Sequence, residues 1–430
     1  MILRLQSPTT RAVLVFVAGA LAVAMTYFSI REAMAFHASQ VLTLEGYQRA
    51  VQLEPKNARY WYLLGRYWQL SMDSPDPQQA IRDFKTSLQL DPHSADTWMD
   101  LATVYDSEGD APAARDAFLA AKRAYPASAE VAWRYGNFLL RQGELSTAYA
   151  EIRTALEADP KRGAEAFSRC WRVSPDVHTI LDKVLPPSKE IYVAVIRELV
   201  EAGQLDPALV VWSRLRTLNP RMSPAQVSQL TNELLQQGRT QELSLVWQQA
   251  VAMMDDPPAD PPGSVFWDGG FESDVINSGL AWRIPPPYHG VKASIETGQV
   301  HSGKHALRIM FTGDVNVRYE GPCHYALVSP ETSYRFSAWV RPEGLTTNQG
   351  IRFQLETVVS GVHKFATTAD VHGSEPWTNI TYSWTAPEDA SLVKACIERG
   401  VSDSPDGDIQ GTAWVDDVSL VPVSDQVTKP

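Results

Sequence analysis

Cysteine is scarce in this chain of 430 residues, which contains only three. None of the three stands in a CxxC pair or in another spacing typical of metal ligands. This pattern excludes a small fold held together by many disulfides and gives no sign of a cysteine-ligated zinc site. One disulfide bond at most can form within the chain.

Sequence signatures of catalysis are also missing. The chain has no HExxH, no GxSxG, no glycine-rich phosphate loop before a helix and no Cys/His spacing typical of zinc. The acidic stretch 403–408 lacks the register and the closing glutamate of an EF-hand. We therefore predict that the protein is not an enzyme. A pair of glycosidase carboxylates has no fixed sequence spacing, so a glycan-acting enzyme stays open as a third alternative.

Basic residues are fewer than acidic ones, 38 against 50, which gives a net charge of −12. Nonspecific nucleic-acid binding requires lysine and arginine to displace counterions from phosphates, so we predict no nucleic-acid partner. Hydrophobic residues make up 44% of the chain and charged residues 20%, as in ordinary folded proteins. The length allows two or three domains with complete cores.

One long apolar run is present near the N-terminus. Residues 12–30 contain no charge, and as a helix they would measure about 28 Å, close to the hydrocarbon thickness of a bilayer. Arg4 and Arg11 precede the run, whereas Arg31 and Glu32 follow it with opposite charges that cancel. The positive-inside rule then predicts that the N-terminus is cytoplasmic.

This run is predicted to be a transmembrane signal anchor at 12–30, with residues 1–11 in the cytoplasm. The rest of the chain would lie on the periplasmic or extracellular side of the cytoplasmic (inner) membrane. The alternative is a cleaved signal peptide, for which Ala33-Met34-Ala35 offers a site with small residues. The apolar run is long for a signal peptide, which favours the anchor.

The N-terminal half repeats itself with a period of 34 residues. Small residues recur where two helices would approach most closely, and proline follows each second helix, which it cannot continue. The period and these positions resemble the tetratricopeptide repeat, in which each unit is a pair of antiparallel helices that must stack on its neighbours. The recurring residues are Trp98, Leu101, Ala102, Tyr105, Gly109, Ala114, Phe118, Ala121 and Pro126, then Ala132, Tyr135, Gly136, Leu139, Gly143, Ala148, Ile152, Ala155 and Pro160.

Further units flank these two repeats. Residues 38–53 have a helical apolar pattern and resemble the second helix of an incomplete unit, and 61–92 form a fuller repeat with a longer inter-helix turn at 73–77. The register is lost at 163–186, and degraded repeats follow it. We predict an α-solenoid of about five to six units over 38–254, whose concave face binds a protein partner.

The periodicity changes from helical to alternating after a proline-rich acidic linker at 255–264. Apolar and polar residues then alternate in short segments separated by turn residues, which predicts about eight strands in a β-sandwich over 265–423, before a tail at 424–430. The fold class is therefore multidomain, α followed by all-β. The clearest alternating segments are 306–311, 334–341, 351–356, 378–384, 393–398 and 412–420.

Four landmarks in 265–423 resemble those of jelly-roll carbohydrate-binding modules that bind xylan or glucans, and of galactose-binding-like domains. The resemblance implies a jelly-roll fold and a binding role without catalysis. Many relatives have changed or lost sugar binding, so it specifies the fold better than the ligand. The landmarks are DGGFES at 268–273 followed by Trp282, SGKHALRI at 302–309, YRFSAWVR at 334–341 and WVDDVSL at 414–420.

The resemblance implies a structural calcium site. In the family, the glutamate of the opening motif and an aspartate of the closing pair bind the ion together with carbonyl oxygens near the Ser-Gly turn. Glu272, Asp416 or Asp417 and the turn at 302–304 are the matching positions, and oxygen ligands suit calcium. The alternative is that these carboxylates cap loops and pair with Lys304.

The resemblance also implies a sugar-binding groove. If the apolar residues of 334–341 face the core, every second residue faces outward, and the same holds for the next strand at 351–356. An exposed indole among polar side chains suits a pyranose, which has an apolar face and a rim of hydroxyls. The alternative is that a loop or the helical domain covers Trp339. The predicted glycan-binding residues are Trp339, Arg335, Arg341, Arg352, Gln354, Glu356 and Tyr288, with Trp282 and Trp377 as further candidates.

Two of the cysteines, Cys323 and Cys396, lie in the predicted β-domain, whereas Cys170 lies alone in the helical region. The predicted topology places the β-domain in an oxidising compartment, where a Cys323–Cys396 disulfide can form. Otherwise both are ordinary strand residues.

Two hypotheses of function follow. The first is a membrane-anchored, non-enzymatic envelope scaffold that binds a protein partner through its repeats and a polysaccharide through its jelly roll, in polysaccharide assembly or export. The second is a pure protein–protein assembly factor whose β-sandwich has no sugar site. Apart from calcium, no cofactor is predicted.

Overall fold

The computed structural model describes residues 8–359 and 361–423. Arg4, most of the predicted cytoplasmic segment 1–11 and the tail 424–430 lie outside the described residues. The chain divides into two compact units, with the boundary between Pro186 and Pro187.

The first unit begins with a long helix, α1 (Pro8–Ser39), of 32 residues. Its apolar part has a mean hydropathy of 2.2, and none of that part is buried, so this helix is long and apolar enough to cross a membrane. The C-terminal turns are different, because Ala35 is fully buried and Arg31 forms an ion pair with Glu54 at 2.8 Å. The end of α1 therefore belongs to the folded repeat region.

The single helix predicted over 38–53 is wrong. The structure ends α1 at Ser39 and begins α2 (Leu44–Leu53) five residues later, with Thr43 accepting a hydrogen bond from Gly46 N as the N-cap. Leu42 has a positive φ of 57°, which reverses the chain between the two helices. The helices then pack against each other as a hairpin.

Three complete helix pairs follow in the first unit. Asn57, Asp76, Ser94, Asp110 and Ser128 cap five of their N-termini through side-chain oxygens. A Cβ on Gly65 would lie 2.7 Å from the Phe84 ring, and one on Gly136 would lie 2.7 Å from Ile152, so the small residues do lie where the paired helices approach most closely. The pairs are α3 (Ala58–Leu70) with α4 (Pro77–Leu90), α5 (Ala95–Ser107) with α6 (Ala111–Ala124), and α7 (Ala129–Arg141) with α8 (Leu145–Ala158).

The first unit ends outside the repeat register, as the sequence predicts. A 3₁₀ turn at Pro160–Arg162 leads into α9 (Gly163–Val173), and Asp176 caps the short helix α10 (Val177–Lys183). The second unit resumes with two further helix pairs. They are α11 (Lys189–Glu201) with α12 (Leu205–Thr217), and α13 (Ser228–Gln236) with α14 (Thr240–Val251).

Nine strands form two antiparallel sheets after α14 within the described residues, which confirms the predicted α-then-β class. One sheet has the order β1-β2-β9-β4-β7 and the other β3-β8-β5-β6. Apolar side chains from both inner faces form one core, which includes Phe336, Phe353 and Ile397. The strands are β1 (Val291–Glu296), β2 (Ala306–Thr312), β3 (Tyr319–Leu327), β4 (Ser333–Glu343), β5 (Arg352–Val359), β6 (Val362–Thr367), β7 (Thr378–Thr385), β8 (Leu392–Arg399) and β9 (Gln410–Pro422).

The last helices of the second unit pack directly on the β-sandwich. Asn232 on α13 accepts hydrogen bonds from Gly279 N at 3.0 Å and from Arg283 Nη2 at 2.9 Å. The ring of Trp247 on α14 contacts that of Trp267 edge to face, with centroids 5.4 Å apart. The segment 255–264 contains neither helix nor strand, yet the elements on its two sides are joined by these contacts. The predicted domain limits at 254 and 265 stay predictions.

Candidate functional site

The residues of the predicted sugar groove lie on two different surfaces. Strand β4 belongs to the five-stranded sheet and β5 to the four-stranded sheet. Their outward side chains therefore point to opposite sides of the sandwich, since the inward ones share the core between the sheets. A single groove that contains both Trp339 and Arg352 is wrong. Two strands that follow each other in the sequence need not belong to the same sheet.

Trp339, on the five-stranded sheet, is partly covered. The His301 ring stacks on the Trp339 ring with centroids 3.9 Å apart and an interplanar angle of 16°, and Trp377 contacts the other edge of His301 at 5.6 Å. Arg341 on the same strand donates to Gln299 Oε1 at 2.6 Å and lies over the Trp414 ring at 5.8 Å. These rings are already used in contacts within the protein.

The other candidates of this region are separate. Arg335 is exposed on β4. Tyr288 is 56% exposed and lies before β1, where its backbone pairs with Val291. Trp282 is buried in the sandwich core, and its Nε1 donates to the carbonyl of Asp268. Trp282 is therefore a packing residue and not part of an outer surface.

A row of four side chains crosses all strands of the four-stranded sheet on its outward face. Strand pairing places Tyr325 of β3 opposite Lys394 of β8, Lys394 opposite Glu356 of β5, and Glu356 opposite Phe365 of β6. Directly opposed residues lie on the same face of a sheet. Phe365 is 58% exposed. The row thus presents an aromatic ring at each end and an acid–base pair between them.

Part of this row lines a cleft of about 330 Å³. Lys394 Nζ lies 3.8 Å from Glu356 and also pairs with Glu320, while His363 pairs with Glu356. Burial alone would lower the pKa of Lys394, but the paired carboxylates hold it above its usual value. The lining residues are Tyr325, Glu356, His363, Ser391, Leu392 and Lys394.

The next two rows on the same face contain the remaining predicted residues. Gln354 lies opposite Cys396, and Arg352 donates to Glu398 at 2.6 Å and lies 3.5 Å from Asp370. We call the cleft and these three rows together the four-stranded face. Sequence reasoning missed Tyr325, His363 and Phe365, because β3 and β6 were not among the predicted strands. Lys394 could have been predicted as an outward-facing residue, because it alternates with the apolar residues of the predicted strand 393–398.

Cys323 and Cys396 face each other across β3 and β8 and form a disulfide, with sulfurs 2.10 Å apart. Together with Glu320 they are the one group of three or more residues in the described part of the chain whose candidate metal ligands all lie within 4.8 Å of one another. Because both thiols are engaged in the disulfide, this group is not a metal site. Cys170 is buried, which raises the pKa of its thiol to about 12.

The carboxylates of the predicted calcium site gather around the turn 301–305. Glu272 accepts hydrogen bonds from Lys304 N at 2.6 Å and His305 N at 3.1 Å, and Asp416 accepts from His301 N at 2.8 Å and Ser302 N at 3.1 Å. Burial raises the pKa of Asp416 to about 6 although these N–H groups work against the rise.

Asp417 and the two histidines complete this arrangement. Asp417 accepts from Ser302 Oγ at 2.7 Å and pairs with His301 Nδ1 at 2.5 Å, and Glu272 pairs with His305 Nδ1 at 3.1 Å. Every carboxylate oxygen of Glu272, Asp416 and Asp417 thus accepts a hydrogen bond, since Asp416 Oδ1 receives Asp417 N. Calcium binds through oxygen atoms, and here it would have to share each carboxylate oxygen with an N–H or O–H group of the protein.

The calcium prediction is tested by chelation. Because hydrogen bonds already satisfy the three carboxylates, we expect EGTA to leave the thermal unfolding midpoint of the full chain unchanged relative to added Ca²⁺. Circular dichroism in detergent measures it, with Glu272→Gln as a variant that should lower the midpoint under both conditions. A calcium-dependent rise that Glu272→Gln removes would restore the predicted calcium site.

The first helices of the repeat pairs carry a connected polar network. Asp100 on α5 accepts from Tyr62 Oη of α3 at 3.0 Å and from Arg134 Nη1 of α7 at 2.8 Å, and Arg66 Nε lies 3.6 Å away. Burial and the Asp100 carboxylate raise the pKa of Tyr62 to about 12, so its hydroxyl keeps the donated proton. One carboxylate thereby links three successive helix pairs.

Trp133 on α7 is buried, with 7% of its surface exposed. The guanidinium groups of Arg162 and Arg169 lie over its ring at 5.2 and 5.4 Å from the centroid. Glu130 accepts from Arg134 at 2.7 Å and from Arg162 at 2.8 Å. We call these residues and the Asp100 network the first-helix face.

Comparison with known protein families finds one match. The tetratricopeptide repeat family model matches residues 72–132, so this segment contains tetratricopeptide repeats. No curated protein matches the chain.

Several solved structures are similar to parts of it. A CBM22-1 xylan-binding domain from Paenibacillus barcinonensis Xyn10C is 16% identical, covering 39% of this chain and 98% of that one, with a TM-score of 0.29. YrrB, a TPR protein with an unusual peptide-binding site, is 14% identical, covering 50% and 95%, with a TM-score of 0.27. MamA is 18% identical, covering 40% and 85%, with a TM-score of 0.24.

Proposed function

We propose that this protein is a membrane-anchored, non-enzymatic scaffold of the cell envelope. Its helical repeats bind a protein partner, and its β-sandwich binds a glycan. Joining both recognition modules to one anchor suits polysaccharide assembly or export, where a glycan and the proteins that handle it must be kept together at a membrane. The bulk of the chain then lies on the periplasmic or extracellular side.

The observation that carries the glycan assignment is the row Tyr325, Lys394, Glu356 and Phe365 on the four-stranded face. Aromatic rings offer stacking surfaces to the apolar faces of sugar rings, and the carboxylate and amine groups between them offer acceptors and donors to hydroxyls. Arg283 lies over one face of the Tyr325 ring at 4.6 Å and fixes its orientation. The face is thus a pre-arranged polar and aromatic surface.

The anchor assignment rests on α1. The apolar part of this helix is not buried in the fold, whereas the residues after it are packed. Cleavage after Ala35 would cut the chain beside a fully buried residue that belongs to one apolar cluster with Tyr47, Ala50 and Tyr60. We therefore favour an uncleaved anchor over a signal peptide, and the intact mass of the membrane-extracted protein measures this directly.

The protein-binding assignment rests on the first-helix face. Tetratricopeptide units stack through their apolar faces and leave the first helices of successive pairs on one surface. Here that surface carries the Asp100 network and two arginines, Arg162 and Arg169, that cover the buried Trp133 ring. Arginine is among the side chains most enriched at energetically important positions of protein interfaces.

The second function, a pure assembly factor, is favoured by one observation. The charged side chains of the four-stranded face are paired with one another, as Lys394 is with Glu356 and Arg352 with Glu398. A glycan must compete with these pairs for hydrogen bonds. Binding measurements distinguish the two functions.

Glycan binding is tested with the full chain in detergent against a panel of polysaccharides. We expect at least one to bind, and the double variant Glu356→Gln with Phe365→Ala to weaken that binding about tenfold or more, because an exposed ring and an ionic acceptor are lost. Isothermal titration calorimetry measures the affinity.

Trp339→Ala is the matched control, since it removes a larger aromatic ring from the opposite sheet. We expect it to bind the glycan as the unmodified chain does. Weakening by Trp339→Ala alone would move the site to the five-stranded sheet. Absence of binding to every polysaccharide would favour the assembly factor.

A further inference from the structure

A furrow runs between the second helices α4 and α6 in the first unit, on a different side from the first-helix face. Its volume is about 680 Å³. Leu88, Leu101 and Ala117 are buried in its floor, and Trp98 and Tyr105 of α5 are half-exposed there. The lining residues are Lys85, Leu88, Gln89, Trp98, Leu101, Tyr105, Ala113, Asp116, Ala117, Ala120 and Arg123.

The next furrow, between α6 and α8, is closed by ion pairs. Lys122 pairs with Glu151, and Arg115 pairs with Glu144. Helices α4, α6 and α8 begin 34 residues apart, so the equivalent positions across the first furrow can be read from the sequence. At the positions equivalent to Lys122 and Glu151, the first furrow has Leu88 and Ala117, which cannot form an ion pair.

The first furrow has no such closure. Among the residues that the structure describes, no ion pair joins α4 to α6. Three of the lining residues on α6, at positions 113, 117 and 120, are alanines. Their short side chains leave the space between α4 and α6 open. The same repeat architecture thus closes one furrow with charges and leaves the other open above an aromatic floor.

The lip of the open furrow is positively charged in an acidic protein. Lys85 Nζ lies over the Tyr105 ring at 5.6 Å, and Arg123 is exposed at the end of α6. Neither forms an ion pair in the described part of the chain, and Asp116 is the one acidic lining residue. The chain as a whole has a net charge of −12. Opposite charges across an interface guide association and select partners.

We infer that this furrow binds an acidic segment of a partner protein that inserts a large apolar side chain between α4 and α6. The lining of α6 from Ala113 to Arg123 spans about 15 Å, the length of roughly ten helical residues. Exposed Leu90 and Tyr125, at the C-terminal ends of the same helices, extend the apolar surface. The site adds a second protein-binding surface to the proposed role of the repeats and does not depend on glycan binding.

The test uses the full chain in detergent and two fluorescein-labelled synthetic peptides. Both are 14-residue amphipathic helices with leucines on one face; the polar face is glutamate in one and lysine in the other. We expect the glutamate peptide to bind at least tenfold more tightly by fluorescence anisotropy. Equal affinity of the two peptides, or no binding of the glutamate peptide, would refute the inference.

Two pairs of variants locate the binding. Ala113→Leu fills the furrow and Arg123→Glu reverses its charge, and each should weaken the glutamate peptide about tenfold. Thr147→Leu at the equivalent position of α8 and Lys161→Glu outside the furrow are the matched controls and should bind as the unmodified chain does. Weakening by the controls to the same extent would overturn the assignment. Glycan affinity measured on the same samples should not change, so failure here is distinguishable from failure of the β-sandwich function.

Discussion

Arg399→Ala is expected to unfold the β-sandwich at much lower denaturant concentration than the unmodified chain. The Arg399 side chain is 1% exposed at the end of β8. Its guanidinium donates to Asn316 Oδ1 at 2.9 Å, to Gly407 O at 2.9 Å and to Gln349 O at 3.3 Å, and it also contacts Val317 O. One side chain thus joins three loops that are far apart in sequence.

The free energy of unfolding should fall by about 3–5 kcal/mol, because alanine leaves a cavity and several buried oxygen atoms without hydrogen-bond donors. Arg399→Lys should recover little of this, since an ammonium group cannot reproduce the planar fork of the guanidinium. Urea unfolding followed by near-ultraviolet circular dichroism measures the midpoint. Arg335→Ala, on the exposed side of β4, is the control that should leave the midpoint nearly unchanged, and a similar midpoint for Arg399→Ala would contradict the assigned role.

Two arginines in the apolar part of α1 should release the protein from the membrane. Arginine near the centre of a membrane helix costs about 2.5–3.5 kcal/mol on insertion scales, so Val17→Arg with Leu21→Arg should cost about 5–7 kcal/mol. We expect the unmodified chain to resist alkaline carbonate extraction and the double variant to be extracted.

Phe36→Arg is the matched control, because Phe36 is exposed on the same helix but lies beyond 12–30. It should stay in the membrane fraction. Protease added to spheroplasts should digest the repeats and the sandwich if the predicted orientation is correct. Extraction of the unmodified chain, or protection of the repeats in spheroplasts, would contradict the anchor or its orientation respectively.

Much of the fold could be predicted from the sequence because its signals are local. The 34-residue period locates the helix pairs, and contacts such as that between Gly136 and Ile152 follow from the same periodic positions. Alternation identified β4 and β8 within about two residues. The break at Leu42 was missed, since the apolar pattern continues through a residue whose positive φ no local signal requires.

The candidate site could be predicted only in part. Alternation along β5 correctly put Arg352, Gln354 and Glu356 on one face of a strand, because successive side chains point to opposite sides. It carried no information on the sheet to which β5 belongs. The partners of Glu356 in the aromatic row come from β3, β6 and β8, and a pairing between strands distant in sequence leaves no trace within any one of them.

The amino-acid sequence by itself determined the apolar N-terminal run, the repeat period, the change from helical to alternating order and the character of each strand's two faces, since all of these depend on neighbours along the chain. The tertiary structure alone decided which strands share a sheet, that His301 covers Trp339, and that the furrow beside Trp98 stays open while the next is closed. These features depend on side chains brought together across the fold, and only the packing of the whole chain fixes their distances.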